Sequence, residues 1–397
     1  MARTLVYQIW AGAWSSLKEI QNHLRRIAAL GANYVWLSGI LASSQHDHGY
    51  DVTDYRAIDS RYGTMADFDE FVEAAHRLGI GVLLDLILNH TSTNHPWFRE
   101  HPDYYCWSDY DRPGWKNLFD NGSAWKYDEE YEKYYCHLFH EAQADLNWFP
   151  EKDSKLNQSL VGEFCSIVDF WTKEHNVAGF RLDVPQSINK DFDCDVLEFN
   201  DLIFRTKAPQ VINAVFPNPS YHPFLMMECF DPTFGDVVDY YAAETPVDYV
   251  MNMLLKSTIN FGAKEFKEKL KASVMNPKFM VDIESHDSPR FSHRCWNSVW
   301  GTHQIFQANP SAVCLYQGQE LGLSNPTPDQ LTYADMVSLD AETAMKVCSG
   351  VSLESLRPTS RANARIPLSL DEYEKQEKDP KSCLNLTKLK IKRWLLC

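Results

Sequence analysis

At 397 residues, 44% hydrophobic and 13% aromatic, the chain has material for one large α/β domain with an insertion, or for two ordinary domains. A net charge of −16 excludes nucleic acid and anionic membrane as expected partners, since both need clustered Lys and Arg. No apolar run approaches the ~20 residues that span a bilayer, the N-terminus has no signal-type apolar region, and the ten cysteines show neither C-x-x-C pairs nor metal spacing, so a soluble, cytoplasmic, reduced protein is expected.

Along the chain, short apolar strands alternate with amphipathic helices. Residues 6–10 read as a strand, 16–30 as a helix with Leu17, Ile20, Leu24, Ile27 and Leu30 on one face, and 34–37 as the next strand. A loop containing His46-Asp47-His48-Gly49-Tyr50-Asp51 leads to a helix at 65–78 and a buried strand at 81–88. Further strands are expected at 178–183, 224–228, 247–252, 279–283 and 312–316, with helices at 160–173 and 263–274 between them. Eight such units predict an α/β fold of the (β/α)8, or TIM, barrel type rather than a doubly wound sheet. About 90 residues separate the third strand from the fourth, too many for a structureless loop, so a small subdomain is expected there. The predicted division is 1–92 for the first part of the barrel, 93–149 for the inserted subdomain and 150–397 for the rest, with a charged final helix at 380–394.

Three strands are expected to end on an acid: Gly179-Phe180-Arg181-Leu182-Asp183, Leu225-Met226-Met227-Glu228 and Ile283-Glu284-Ser285-His286-Asp287. Acids at the C-terminal ends of parallel strands converge on one mouth, where barrel enzymes work, and converging carboxylates suit cleavage of a glycosidic bond. Arg181 stands two residues before Asp183, so both face the same way, and its guanidinium is expected to keep that carboxylate ionised. The apolar run before Glu228 favours the opposite, a carboxyl that holds its proton. Abundant aromatic rings fit a sugar ligand as well.

With these segments in order, the chain resembles the α-amylase superfamily, family 13 of the glycoside hydrolases. Asp85-Leu86-Ile87-Leu88-Asn89-His90 is similar to its D-x-x-x-N-H segment, Gln143-Ala144-Asp145-Leu146-Asn147-Trp148 to Q-P-D-L-N-W, residues 179–183 to G-x-R-x-D, and Ser285-His286-Asp287 to N-H-D. Within the family it is most similar to the oligo-1,6-glucosidase, dextran glucosidase and trehalose-6-phosphate hydrolase group. The resemblance implies that Asp183 is the nucleophile, Glu228 the general acid/base and Asp287 the transition-state stabiliser. It implies a terminal-sugar pocket of Asp47, Tyr50, His90 and His286, closed by Arg365 pairing with Asp47, with Phe119, Phe139 and Gln143 on the cleft wall. Val184, directly after the nucleophile, accompanies α-1,6 cleavage in that group; Pro185 after it departs from the usual Ile.

The implied activity is a retaining α-glucosidase acting on small oligosaccharides or disaccharides, with α-1,6 bonds favoured. Rival readings are a glucosyltransferase, isomerase or phosphorylase using the same intermediate, and a non-catalytic homologue or subunit. No cofactor is expected, and no metal: the relatives' acidic D-x-N-x-D-G loop is absent, and Asp191-Phe192-Asp193-Cys194-Asp195 lacks the Gly and distal Glu of an EF-hand. Glu284-Ser285 replaces the family's small residue and Asn. The family's C-terminal β-sandwich is expected to be absent or truncated, which would leave apolar surface on the last barrel helices and favour self-association.

Overall fold

The computed structural model describes residues 3–150, 155–188, 190, 202–218, 222–229, 236–253, 255–256, 262–294, 298–308 and 310–366. The expected helix at 380–394 and the Asp191–Asp195 run lie outside the described residues. Eight parallel strands close into a barrel: β1 (Thr4–Trp10), β2 (Tyr34–Ser38), β3 (Gly81–Ile87), β4 (Gly179–Asp183), β5 (Phe224–Cys229), β6 (Tyr249–Asn252), β7 (Phe279–Val281) and β8 (Ala312–Tyr316). β8 pairs back onto β1, so the barrel has no open edge. The strands are nearly continuous apolar runs because each is covered on both faces, by helices outside and by lumen side chains inside. Val6, Trp36, Leu83, Met226, Met251, Met280, Ala312 and Cys314 fill the lumen floor.

Local chemistry explains where the elements begin and stop. Gly179 opens β4 against β5, where a Cβ would stand 1.8 Å from the Phe224 carbonyl oxygen, so no other residue fits. The expected helix at 16–30 is two pieces, Leu17–Gln21 and Leu24–Leu30. Its turn tightens at Asn22 and His23, whose amides bond Glu19 and Ile20 three residues back. There the His23 ring lies 4.6 Å from that of Trp14. The helix Met65–Arg77 starts on a capping box between Thr64 and Asp67. Strand β6 is shorter than expected; just before it Asp248 brackets Leu225, its amide donating to that residue's carbonyl at 2.9 Å and its carboxylate accepting from that residue's amide at 2.8 Å.

Between β3 and β4, the strand His90–Ser92 pairs antiparallel with Gln143–Asp145, and a three-stranded sheet joins Trp107–Ser108, Lys133–Cys136 and Trp125–Asp128. Cys106, Trp115, Ala124, Trp125, Cys136 and Leu138 form a small core of its own there. Trp148 anchors the return to the barrel by donating from Nε1 to the Leu88 carbonyl at 2.6 Å. Among the described residues no helix is long and apolar enough to cross a membrane.

Candidate active site

Arg181 is the centre of the site. It faces inward from β4 and is 2% exposed, its guanidinium lying over the rings of Trp36 (5.1 Å) and Tyr50 (5.7 Å). Nη1 bonds Asp183 and, at 3.0 Å, Asp85 Oδ1; Nη2 bonds Glu228. One cation therefore holds an acid from each of β3, β4 and β5 at the strand ends. Arg181 favours the ionised form of Asp183 as expected, but it is shared among three acids and not held by Asp183 alone. Burial drives the Asp183 carboxyl well above its usual range, Arg181 opposes this, and the charges of Glu228, Asp85 and Asp287 add to the rise. Asp85 is likewise pushed up to about 6 by burial, against Arg181 and the Trp36 indole.

Asp287 lies across the mouth on the loop after β7, its amide bonded by the Ser285 hydroxyl oxygen at 3.1 Å. Arg365 donates to its Oδ1 at 3.0 Å, Arg361 lies 3.5 Å from the same oxygen, and His286 Nε2 is 3.1 Å from Oδ2. Burial alone would raise this carboxyl, but His286, Arg365 and Arg361 outweigh it and hold Asp287 well below the usual carboxylate range. Its hold on a proton is thus shifted in the opposite direction to that of Asp183.

The rest of the pocket is built on the turn at Asp47–Asp51. Gly49 has φ +105° and backs onto Gly39, where a Cβ would stand 2.4 Å from the Gly39 Cα. The Asp51 carboxylate accepts from the amides of His46 and Asp47, which fixes the turn. Tyr50 stacks flat on His286, with centroids 5.1 Å apart and planes 5° apart. His90 Nε2 is 3.1 Å from the Tyr50 carbonyl oxygen and 3.1 Å from Gln143 Nε2, and its ring packs against Phe139. Burial depresses His90 to about 3, with Lys190 adding to the effect, so its imidazole is neutral. Gln143 also donates to Asp47 Oδ2 at 3.3 Å.

Asp47 pairs with Arg361 at 3.2 Å, not with Arg365 as expected. The 3₁₀ helix Arg361–Ala364 puts positions 361 and 365 on different sides of the turn, with Arg361 toward Asp47 and Arg365 toward Asp287 and the His286 carbonyl. Arg361 also bonds Asp340 at 2.8 Å and lies over the Phe119 ring at 4.9 Å, while Phe119 meets Phe139 edge-on. Contacts therefore run without a break through Asp183, Arg181, Glu228, Tyr50, His286, Asp287, Arg365, Arg361, Asp47, Gln143, His90, Phe139 and Phe119. Val184 joins the cluster through the chain alone; it has φ 34° and ψ 52°, a left-handed conformation rare for a β-branched residue.

Four contributors went unassigned in the sequence. Arg361 stood four residues from the arginine expected in its place. Asp85 was visible only as the first letter of a motif. Gln8, from β1, reaches His286 Nδ1 at 2.7 Å, and inward alternation along β1 was the available signal. Lys190 is buried between Asn89 Oδ1 (2.6 Å) and Asp145 Oδ2 (3.2 Å), and Asn89 in turn bonds His90 Nδ1 at 3.0 Å. Nothing local marks Lys190. Glu284, which replaces the family's small residue, directs its carboxylate to Arg290 (3.1 Å) and the Phe291 amide (2.8 Å). Among the described residues no group of three or more His, Cys, Asp or Glu side chains is arranged to hold a metal ion.

Residues 11–379 match the family model of the α-amylase catalytic domain. A trehalose-6-phosphate hydrolase of Bacillus subtilis is 31% identical, over 94% of this chain and 74% of its own length. A glucan 1,6-α-glucosidase of Streptococcus pneumoniae is 29% identical, over 93% and 75% respectively. Among solved structures, a Bacillus licheniformis trehalose-6-phosphate hydrolase superposes with a TM-score of 0.76 at 27% identity, covering 92% of this chain and 74% of that one.

Proposed function

Because this chain belongs to the α-amylase catalytic-domain family, we propose that it is a retaining α-glucosidase that releases glucose from the non-reducing end of short α-glucosides. The observation that carries the reading is the sharing of Arg181 by Asp183 and Glu228 at the ends of neighbouring strands. Two carboxyls held side by side, one to attack and one to carry a proton, are the equipment of the double displacement. Glu228 gives that proton to the glycosidic oxygen as the bond to the leaving sugar breaks. Asp183 attacks the anomeric carbon and forms a glucosyl ester. Glu228, now a carboxylate, takes a proton from water, whose oxygen displaces Asp183 and restores the starting configuration. Asp287, kept ionised by its arginines, stabilises the positive charge that develops on the sugar ring in both steps.

Exo action is supported by the Asp47–Arg361 pair, which with Phe119 walls off one side of the pocket. Preference for α-1,6 bonds is supported by Val184 next to Asp183, and by a relative named for that linkage.

The test is kinetic. Asp183→Asn loses turnover of every substrate. Glu228→Gln keeps its first step on α-glucosyl fluoride, which needs no acid, and azide restores its second. Equal loss on all substrates without azide rescue reverses the two roles, and a β-configured first product excludes retention. Product analysis with an added sugar acceptor shows whether water or a sugar takes the glucosyl group.

A further inference from the structure

A second charged pair lies in the barrel lumen, outside the set of acids that Arg181 holds. Lys256, beyond the end of β6, places Nζ 3.3 Å from Asp282 Oδ2, one residue past β7. Their side chains are 5% and 0% exposed, and neither carboxylate oxygen of Asp282 has a hydrogen-bond partner among the described residues, so Lys256 meets it as an ion pair. Met226 on β5 and Met280 on β7 both belong to the lumen floor. Glu228 and Asp282 each stand two residues further along, on the same inward face. Register places Glu228 opposite Met251 of β6 and Met251 opposite Met280, so a single strand separates the two acids. Arg294 braces this arrangement: it donates to the carbonyls of Leu255 and Lys256 after β6, and to that of Ile283 after β7.

A purely structural role accounts poorly for the pair. Ion pairs in an apolar interior rarely stabilise more than hydrophobic side chains of the same shape, and the lumen floor is Met, Val, Leu, Trp, Ala and Cys. We propose that Lys256 and Asp282 form a positioning pair that sets how tightly Glu228 holds its proton. The inference rests on the reading of Glu228 as the acid/base. The titratable and charged groups around Glu228 are Arg181, which bonds it, Asp183 and Asp85 on the same guanidinium, Asp282 with its partner Lys256 one strand away, and His286 with Asp287 on the loop after β7. The negative charge of Asp282 favours the protonated acid, and Lys256 limits that effect. Burial raises Asp282 itself, Lys256 opposes this, and the nearby charge of Glu228 adds to the rise, so the two acids feel one another.

The test follows the basic limb of kcat/KM against pH on an aryl α-glucoside, where the acid must be protonated. Asp282→Asn leaves Lys256 unbalanced, which favours the Glu228 carboxylate and moves the limb down by on the order of one pH unit. Lys256→Gln moves it up, and the double variant returns it toward wild type. A limb that stays in place in Asp282→Asn, with only the melting temperature lowered, overturns the proposal and leaves a structural pair. If Asp282→Asn does not fold, Lys256→Gln decides by the opposite sign. The ¹³C-carboxyl titration of Glu228, identified by its loss in Glu228→Gln, reads the same shifts without turnover. A wild type inactive on every α-glucoside therefore refutes the glucosidase reading, while the titration still decides the pair.

Discussion

Arg361 shows how much one side chain decides here. It binds Asp47 and Asp340, lies near Asp287 and Glu342, and covers the Phe119 ring. Arg361→Met strands the buried Asp340 and Asp47 carboxylates, and breaking a buried pair costs about 3–5 kcal/mol. Thermal unfolding should show that loss together with a fall in kcat/KM; a variant of unchanged stability would mean that Asp340 finds another cation. Asp47 supplies a test with pH. Burial pushes its carboxyl from 3.8 up to about 6, against Arg361 and Arg365. The folded state then binds more protons than the unfolded chain between those values. The contribution of Asp47 to stability is therefore full below about 3.8 and is lost as pH rises through about 6. Relative to Asp47→Asn, the wild type should lose up to about 1.4 kcal/mol per pH unit across that window in denaturant titrations. Parallel curves for the two proteins would place the Asp47 pKa at its ordinary value.

At the scale of the element, the turn after β4 carries strain beside the proposed nucleophile. Val184 has φ 34° and is followed by the 3₁₀ turn Pro185–Ser187. A conformation of this kind costs a bulky residue on the order of 1–3 kcal/mol. Val184→Gly should therefore leave the melting temperature equal or higher, despite the added freedom of the unfolded chain. Val184→Ala keeps the strain but removes two methyls beside the proposed nucleophile. It should raise the ratio of maltose to isomaltose hydrolysis by roughly 10–200-fold. A flat ratio moves control of linkage to Pro185 or the 284–285 pair.

The acids of β4 and β5 were legible because each of these strands is an apolar run that reaches a carboxylate at or next to its end, with Gly179 marking the close approach of β4 to β5; the third strand expected to end on an acid, β7, instead stops at Val281 and leaves Asp287 on the loop beyond it. What escaped were contacts between distant segments. Arg361 and Arg365 differ only in which side of a 3₁₀ turn they occupy, and Lys190 meets Asn89 and Asp145 across the barrel mouth. Neither contact leaves a periodic trace. Lys190→Met leaves Asp145 buried without its cation, so it should destabilise the protein by about 3–5 kcal/mol. It should also raise KM, because Asn89 then loses its grip on His90. EDTA should change neither quantity in the wild type, where the Lys190 ammonium already fills the space between Asn89 and Asp145.

The whole molecule joins two cores of very different size. The barrel is closed by β8 on β1, so its strands have no edge from which to fray, and its apolar cluster runs from Leu5 to Ala364. The inserted sheet has a core of six buried residues with Tyr134 and Phe139 packed against it, while Tyr104, Tyr105 and Tyr135 of the insertion belong to the main cluster. It is held to the barrel by Trp148, by Lys190 and by Gln143 with Asp47 and His90. Regions with few buried contacts open on their own before the molecule unfolds. Amides of Trp125–Asp128 and Lys133–Cys136 should therefore exchange with deuterium at lower opening free energy than those of β1 and β8 under native conditions. Binding of a substrate that Glu228→Gln cannot turn over should narrow the gap, because Gln143 and Phe139 belong both to the insertion and to the pocket wall. Ligand binding to one surface would then be felt as protection of a sheet that does not touch the sugar. Equal opening energies in the free protein would show instead that barrel and insertion unfold as one unit, and that the pocket wall is rigid before substrate arrives.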